Sequence, residues 1–192
     1  MLHGKNYIGN SLSSTGKVTF KTFNPQLNRN NGSDFTEATL EEVNSAVNLA
    51  YSAFLEYKNI DSIKRSQFLD TIVDQILLID NEIIKVYCEE TGLAEGRAKG
   101  ELARTIGQIK SFSELLKKGD WVNASIDTAN PERKPVAKPD LRKMSIALGP
   151  VVVFGASNFP LAYSTAGGDT ASALAAGCPV IVKSHPMHAG TG

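Results

Sequence analysis

Apolar residues recur every three to four positions through the middle of the chain, between residues 40 and 118. This spacing puts them on one face of a helix and predicts four consecutive amphipathic helices. The first helix follows Thr39-Leu40-Glu41-Glu42, a capping box in which Thr39 and Glu42 satisfy free backbone N–H groups. Its apolar positions are Leu40, Val43, Val47, Ala50, Phe54 and Tyr57.

The three helices that follow are each bounded by capping or stop residues. The second begins near Asp61 or Ser62, and its apolar positions are Phe68, Leu69, Ile72, Val73 and Ile76. Asp80 is expected to cap a short third helix, Asn81 to Glu90, which Thr91-Gly92 ends. The fourth runs from about Ala94 to Lys118, and Gly119 ends it. Its predicted buried face consists of Ala98, Leu102, Ile106, Ile109, Phe112 and Leu116.

After residue 144 the pattern changes to two short, continuous apolar runs, Val151–Phe154 and Val180–Val182. Such runs are typical of strands that are buried on both faces. The small-residue segment Leu161–Gly177 between them has the length of a helix, so the two runs predict a βαβ unit with parallel strands. Functional groups of such units lie beyond the carboxyl ends of the strands, here Gly155–Asn158 and Lys183–Pro186.

The segments outside these elements are rich in turn-forming residues. Near the start, Tyr7–Asn10 and Lys17–Phe20 are predicted to form a small hairpin with Ser11–Gly16 as its turn. Trp121–Arg142 holds three prolines, several charges and few apolar residues, and is interpreted as a linker or an exposed two-stranded extension. The predicted organisation is residues 1–118 as a hairpin and helical layer, 119–144 as the linker or extension, and 145–192 as the βαβ unit.

Composition and charge narrow the function classes. The formal net charge is zero, so the chain lacks the basic surface expected of a nucleic-acid-binding protein. Its apolar runs are too short to cross a membrane, and the N-terminus lacks the apolar core of a signal peptide. The two cysteines, Cys88 and Cys178, are interpreted as reduced thiols of a cytoplasmic protein.

Two parallel strands alone cannot cover their own edges and faces. We therefore expect the sequence to be the front part of a larger α/β protein, with a helical layer that precedes the first unit of an incomplete, Rossmann-like parallel sheet.

Several motifs of this chain resemble those of aldehyde dehydrogenases. Gly155-Ala156-Ser157-Asn158-Phe159-Pro160-Leu161 resembles the Pro-Trp-Asn-Phe-Pro segment of that family, and Val180-Ile181-Val182-Lys183 resembles the strand that ends on its cofactor lysine. Within the family, Ala166–Pro179 and Lys183-Ser184-His185-Pro186 are similar to the branch that contains the α-ketoglutaric semialdehyde (2,5-dioxovalerate) dehydrogenases. The resemblance covers essentially the whole chain but less than half of a full family member.

The resemblance implies oxidation of an aldehyde to a carboxylic acid with NAD or NADP. The family's nucleophilic cysteine and its general-base glutamate lie further along the family's sequence, so this chain is expected to be inactive alone. Asn158 is the implied catalytic residue, as an amide donor to the oxyanion. The implied cofactor-binding residues are Phe154, Gly155, Ala156, Ser157, Lys183, Ser184 and His185. Members of the family form oligomers, so a homo-oligomer is expected at full length.

The cofactor preference is predicted from one departure from the family pattern. Members that prefer NAD often have a glutamate three residues after the strand-end lysine, and this chain has Pro186 there. Because a carboxylate that would repel a 2′-phosphate is missing, and because Lys183 adds positive charge, NADP is the expected cofactor, with NAD as a possible one.

Several residues of this part of the chain also have simpler interpretations that involve no chemistry. Asn158 is also a common type of turn residue, and Lys183 can be a solvated lysine. Cys178 lies at the end of its strand opposite the binding edge and is interpreted as an unreactive buried thiol. His185 and His188, without a neighbouring carboxylate or cysteine, make a poor metal site, so no metal is expected. The alternative function is a non-catalytic nucleotide-binding or interaction module.

Overall fold

A computed structural model describes residues 2–192 of the chain. Its first part contains six short strands, β1 (Asn6–Ile8), β2 (Ser11–Ser13), β3 (Thr19–Phe20), β4 (Phe23–Asn24), β5 (Arg29–Asn30) and β6 (Phe35–Thr36). They form antiparallel pairs: β1 with β2, β3 with β6, and β4 with β5. The predicted hairpin is wrong, because β2 lies where its turn was expected. Gly9, with φ of +58°, allows a tight turn directly after β1.

The four predicted helices are confirmed. They are α1 (Leu40–Tyr57), α2 (Ser62–Leu78), α3 (Asp80–Thr91) and α4 (Glu95–Lys118). The capping box of Thr39 and Glu42 is present, and the Asp61 carboxylate accepts a hydrogen bond from the backbone N–H of Lys64. The expected Asp80 cap is wrong, because α3 follows α2 after one residue, Ile79, and Asp80 already lies within the helix.

Helix α4 lies at the centre of the helical layer, where it packs against α2, α3 and α5 (Gly168–Ala175). One cluster of buried residues joins α2, α4 and α5 and consists of Leu69, Val73, Ile109, Leu116, Ala171 and Ala175. A second joins α3, α4 and the loop before α5 and consists of Ile84, Tyr87, Ala98, Leu102 and Leu161. The predicted buried face of α4 is thus confirmed, and it is in contact with the βαβ unit.

Strands β7 (Ser125–Asp127) and β8 (Leu141–Lys143) pair antiparallel. All six of their residues are exposed, including Ile126 and Leu141. Of the two interpretations of Trp121–Arg142, the exposed two-stranded extension is therefore correct.

Strands β9 (Val151–Phe154) and β10 (Val180–Lys183) are parallel neighbours, and α5 connects them. The connecting helix is shorter than the predicted Leu161–Gly177, because residues up to Gly167 form turns. A Cβ atom at Gly167 would lie 2.5 Å from the carbonyl oxygen of Ala162, so this close backbone approach requires glycine. Gly177, with φ of +89°, ends the helix as predicted.

Two elements, β9 and α1, expose apolar side chains at positions that the sequence pattern marks as apolar. In β9, Val153 is buried, whereas Val152 is 51% and Phe154 72% exposed, so the prediction of burial on both faces is wrong for this chain. In α1, Leu40 and Val43 are exposed as well, and Ala50 is buried. Among residues 2–192, no helix is both long and apolar enough to span a membrane.

Candidate functional site

The carboxyl ends of β9 and β10 lie side by side, as their parallel pairing requires. Lys183 is the register partner of Phe154, and the N–H of Gly155 donates to the carbonyl oxygen of Lys183 at 3.0 Å. A Cβ atom at Gly155 would lie 3.1 Å from the backbone nitrogen of His185. The loops that follow the two strands therefore begin in contact, and we call this part of the molecule the strand edge (residues 154–159 and 183–186).

The loop after β9 presents its polar side chains outward. Ser157 and Asn158 are exposed, whereas Pro160 is fully buried. The backbone N–H of Ala156 donates to the carbonyl oxygen of Tyr163 at 2.8 Å, which closes the loop around these two residues. The Asn158 side chain is thus accessible to solvent, and a backbone hydrogen bond holds the conformation of the loop that carries it.

A buried carboxylate from α4 holds the far side of this loop. Glu101 is 4% exposed, and its Oε1 accepts hydrogen bonds from the backbone N–H groups of Leu161 at 2.9 Å and Ala162 at 3.1 Å. Its Oε2 accepts a hydrogen bond from the Tyr87 hydroxyl at 2.9 Å. Glu101 was missed by sequence reasoning, although a glutamate within the predicted buried stretch of α4 was a signal that it needs partners.

Removal of this charge is expected to destabilise the protein. Glu101→Gln replaces one carboxylate oxygen with an NH₂ group, so either the two loop N–H groups or Tyr87 must lose a good acceptor. A buried group left unsatisfied costs about 1–3 kcal/mol. Thermal unfolding of the purified protein should show a Tm lowered by several degrees, whereas Glu114→Gln, on the exposed face of the same helix, should leave it unchanged. An unchanged Tm for Glu101→Gln would contradict this role.

The residues at the carboxyl ends of β9 and β10 lie in different environments. Lys183 is exposed and forms none of the ion pairs found within residues 2–192. The Ser184 hydroxyl is buried and has no hydrogen-bond partner within the described chain. Phe154 at the end of the neighbouring strand is exposed. Lys183 ends β10, and it is more accessible than the two predicted cofactor-binding residues that follow it, Ser184 and His185.

His185 offers a hydrogen-bond donor and no positive charge. Burial lowers the pKa of its imidazole, and the neighbouring His188 and Lys183 lower that pKa further. Its Nδ1 accepts a hydrogen bond from the backbone N–H of Met187 at 3.2 Å. In the neutral ring the proton therefore lies on Nε2, which can donate to an acceptor at the strand edge.

His185 and His188 are close together, but no further side chain of the described chain that could bind a metal ion completes a site with them. Their rings stack with centroids 5.0 Å apart, and His188 is buried. Within residues 2–192, no group of three or more histidine, cysteine, aspartate or glutamate side chains is close enough to hold a metal ion.

Cys178 lies at the other end of β10. It is 3% exposed, it precedes Pro179, and the carbonyl oxygen of Pro179 accepts from the N–H of Val151 at the start of β9. The length of the strands therefore separates this thiol from Asn158. Cys88 is part of α3, and burial raises the pKa of its thiol. Both cysteines fit the interpretation as structural residues.

A second glutamate attaches the end of the chain to the helical layer. Glu90, 6% exposed on α3, accepts hydrogen bonds from the backbone N–H groups of Gly190 and Thr191, each at 2.8 Å, and from the Thr191 hydroxyl at 2.7 Å. These bonds fix the segment that follows His185 and so define one side of the strand edge.

The parallel strand pair, the helical layer packed on it and the Asn158 loop form an α/β arrangement, and comparisons with known proteins identify its family. The sequence model of the aldehyde dehydrogenase family matches residues 12–192, and the chain belongs to this family. The resemblance noted in the sequence motifs is therefore confirmed.

Similar proteins of this family include two α-ketoglutaric semialdehyde dehydrogenases. The protein from Acinetobacter baylyi is 47% identical over 98% of this chain, and that from Azospirillum brasilense is 44% identical over 99%. A succinate-semialdehyde dehydrogenase from Schizosaccharomyces pombe is 31% identical over 93% of the chain. The chain spans about a third of the length of these relatives, 36%, 36% and 34% respectively.

Solved structures share the fold at lower sequence identity. An NAD-dependent benzaldehyde dehydrogenase from Corynebacterium glutamicum superposes with a TM-score of 0.82 over 98% of this chain and 39% of that protein, at 22% identity. A 1-pyrroline-5-carboxylate dehydrogenase from Thermus with bound NAD gives 0.82 over 99% of this chain and 35% of that protein, at 23% identity. These superpositions establish the aldehyde dehydrogenase fold of the described residues.

Proposed function

We propose that this chain is the N-terminal part of an NAD(P)-dependent aldehyde dehydrogenase that oxidises α-ketoglutaric semialdehyde (2,5-dioxovalerate) to the corresponding dicarboxylic acid. The observation that carries the proposal is the strand edge. There, Phe154 and Lys183 are paired as the last residues of β9 and β10, and the exposed Asn158 lies on the loop that follows β9. The substrate rests on the 47% and 44% identity to the two α-ketoglutaric semialdehyde dehydrogenases.

In this proposal Asn158 stabilises the reacting aldehyde oxygen. Attack of a thiolate on the aldehyde carbon turns the carbonyl oxygen into an oxyanion, and the Asn158 amide N–H donates a hydrogen bond to it. A donor already in place when negative charge develops lowers the barrier by several kcal/mol in other enzymes, about 2.7–4 for one donor. An amide suits this role because it stays neutral over the whole pH range. The nucleophile and the general base belong to the remainder of the protein.

The residues of the strand edge suit a nucleotide that carries phosphate groups. Lys183 supplies an exposed ammonium group, and His185 supplies a neutral Nε2–H donor. Lys183–Met187 contains no carboxylate that would repel an anion. The other side of the proposed nucleotide site, across from Lys183 and His185, consists of Phe154, Gly155, Ala156 and Ser157. The nicotinamide supplies the hydride acceptor when the cofactor is bound.

The proposal assigns a role to each part of the chain. Residues 1–118 form the short antiparallel strand pairs and the helical part of the cofactor-binding domain, residues 119–144 an extension, and residues 145–192 the first βαβ unit of a Rossmann-like sheet. We propose that the complete protein is a homo-oligomer, since the extension exposes Ile126 and Leu141, which favours a protein partner for it.

The test is a turnover assay with the complete enzyme. Purified protein is mixed with α-ketoglutaric semialdehyde and either NAD or NADP, and the formation of reduced nicotinamide and of the dicarboxylate is followed. Formation of both in equal amounts supports the proposal. Absence of turnover with this and with other short aldehydes would contradict it.

NADP is expected to be the better cofactor, with a higher kcat/KM than NAD. The cause is the environment of Lys183, whose loop holds Pro186 in place of an acidic residue. If Lys183 contacts the 2′-phosphate, Lys183→Ala removes a charge-assisted hydrogen bond, worth about 1.5–3 kcal/mol. The substitution should therefore lower kcat/KM for NADP roughly tenfold or more, and lower it less for NAD.

Lys143→Ala, at another exposed lysine in β8, serves as the control and should change neither value. A strong preference for NAD in the unaltered enzyme would contradict the expected cofactor. Equal losses for the two cofactors in Lys183→Ala would place Lys183 away from the 2′-phosphate.

A further inference from the structure

The connection between β5 and β6 contains the one Asn-Gly pair of the chain, Asn31-Gly32. Asn31 comes directly after β5 and is half-buried, whereas Gly32 is exposed and lies in a bend. A Cβ atom at position 32 would meet no atom of residues 2–192 within 4 Å, and glycine has no Cβ. The Asn31 side chain can therefore approach the backbone nitrogen of Gly32 without a steric barrier.

The N–H group of Gly32 donates to no acceptor among residues 2–192. The N–H of the preceding Asn31 donates to the carbonyl oxygen of Thr22 at 2.8 Å, and the hydrogen bonds between β4 and β5 end there. Nζ of Lys21 donates to the carbonyl oxygen of Gly32 at 3.3 Å and also pairs with Asp34 at 3.4 Å. The positive charge of Lys21 favours loss of the exposed Gly32 proton to solvent, because it stabilises the nitrogen anion.

Thr22 contacts the amide group of Asn31. Its hydroxyl accepts a hydrogen bond from Nδ2 of Asn31 at 3.1 Å, a distance over which a proton can be transferred. Thr22 is 2% exposed, and its hydroxyl has no second hydrogen-bond partner within the described residues. A hydroxyl both accepts and donates, so the same group can give a proton to Nδ2 once that nitrogen becomes an amine.

We propose that Asn31-Gly32 is a site of self-modification, where the asparagine amide is converted to a carboxylate through a succinimide ring with Thr22 as the proton donor. The backbone nitrogen of Gly32 loses its proton to solvent and forms a bond to Cγ of Asn31. The Cγ–Nδ2 bond then breaks with its electron pair on the nitrogen, which takes the Thr22 hydroxyl proton and leaves as ammonia. Thr22 regains a proton from solvent, and water opens the ring at either carbonyl to give aspartate or isoaspartate.

The two products differ in their effect on the fold. Aspartate keeps the length of the main chain, and the Thr22 hydroxyl can donate to the new carboxylate. Isoaspartate adds a methylene group to the main chain between position 31 and Gly32, which shifts Gly32 relative to Lys21. Because β4 contacts α3, isoaspartate alters the end of a strand pair that packs on the helical layer.

The test follows the asparagines of the complete enzyme during incubation at neutral and at mildly alkaline pH. Peptide mapping by mass spectrometry measures the loss of each amide, and labelling with an isoaspartate-specific methyltransferase measures the isoaspartate formed. Asn31 should convert faster than Asn59, an internal control that is more exposed but precedes the branched Ile60. The rate at Asn31 should rise with pH, because the Gly32 nitrogen reacts as its anion. None of these measurements requires turnover, so they are independent of the proposed function.

Three variants of the complete enzyme separate the nucleophile from the proton donor. Gly32→Ala places a methyl group beside the reacting nitrogen and should slow the conversion of Asn31. Thr22→Val removes the hydroxyl and should slow it roughly tenfold or more, because a positioned proton donor contributes about 10²–10⁴-fold in other reactions. Thr22→Ser keeps the hydroxyl and should react at nearly the unaltered rate. Conversion of Asn31 no faster than that of Asn59, or equal rates in Thr22→Val and Thr22→Ser, would overturn the proposal.

Discussion

Replacement of Asn158 by alanine is expected to lower kcat of the complete enzyme by roughly 10²–10³, the range measured when other enzymes lose one oxyanion donor. The side chain is exposed on the loop after β9, so its removal creates no cavity and exposes no core. An oxyanion donor acts on a charge that is present only during the reaction, so the loss should appear in kcat, with little change in cofactor KM. Steady-state kinetics with varied aldehyde and varied cofactor measure both quantities.

Asn158→Asp is the informative companion variant. It keeps the shape of the side chain and replaces the neutral N–H donor with a negatively charged acceptor. A carboxylate at this position repels the developing oxyanion, so kcat should fall at least as far as in Asn158→Ala. An unchanged kcat in either variant, combined with a raised cofactor KM, would mean that Asn158 is a turn residue near the nucleotide and that the oxyanion has another donor.

Residues 1–192, produced by themselves, are expected to give no aldehyde-dependent reduction of NAD or NADP. Within the described residues the cysteines lie away from Asn158: Cys178 is buried at the opposite end of β10, and Cys88 is part of α3. Burial raises the pKa of the Cys88 thiol, which decreases the thiolate fraction at neutral pH. The measurement is the formation of reduced nicotinamide with a panel of short aldehydes at high protein concentration.

Cys178→Ala in the same 192-residue chain provides the control. Turnover above the blank that this substitution abolishes would contradict both the expected inactivity and the interpretation of Cys178 as a structural thiol. Circular dichroism should confirm that the tested sample contains the helices α1 to α4, so that the absence of turnover is not due to unfolding.

The elements that were predicted correctly are those determined by nearby residues. The helix α1 begins at its capping box, α3 and α4 end at Gly92 and Gly119, and the apolar face of α4 is recognised from its spacing. The parallel pairing of β9 and β10 also follows from local sequence, because two short apolar runs separated by a helical length have few other arrangements.

The errors concern contacts that the spacing of apolar residues does not encode, whether the contacting residues are near or far apart in the sequence. The length of α5 depends on the approach of Gly167 to Ala162, and periodicity within the segment does not contain this contact. The partner of β3 is β6, which lies beyond two other strands in the sequence. For the candidate site, the sequence predicts which loops meet, but Glu101 is part of a helix whose pattern indicates only a core and a solvated face.

The buried glutamates also bear on the order in which the chain assembles. Glu101 binds N–H groups 60 and 61 residues away, and Glu90 binds N–H groups 100 and 101 residues away. Closing loops of this length costs entropy before the contacts are made, and folding slows as the sequence separation of contacts grows. The helices, whose hydrogen bonds are local, are therefore expected to form early. The loops that carry Asn158 and His185 then reach their final conformation only when α3 and α4 are already in place to receive them.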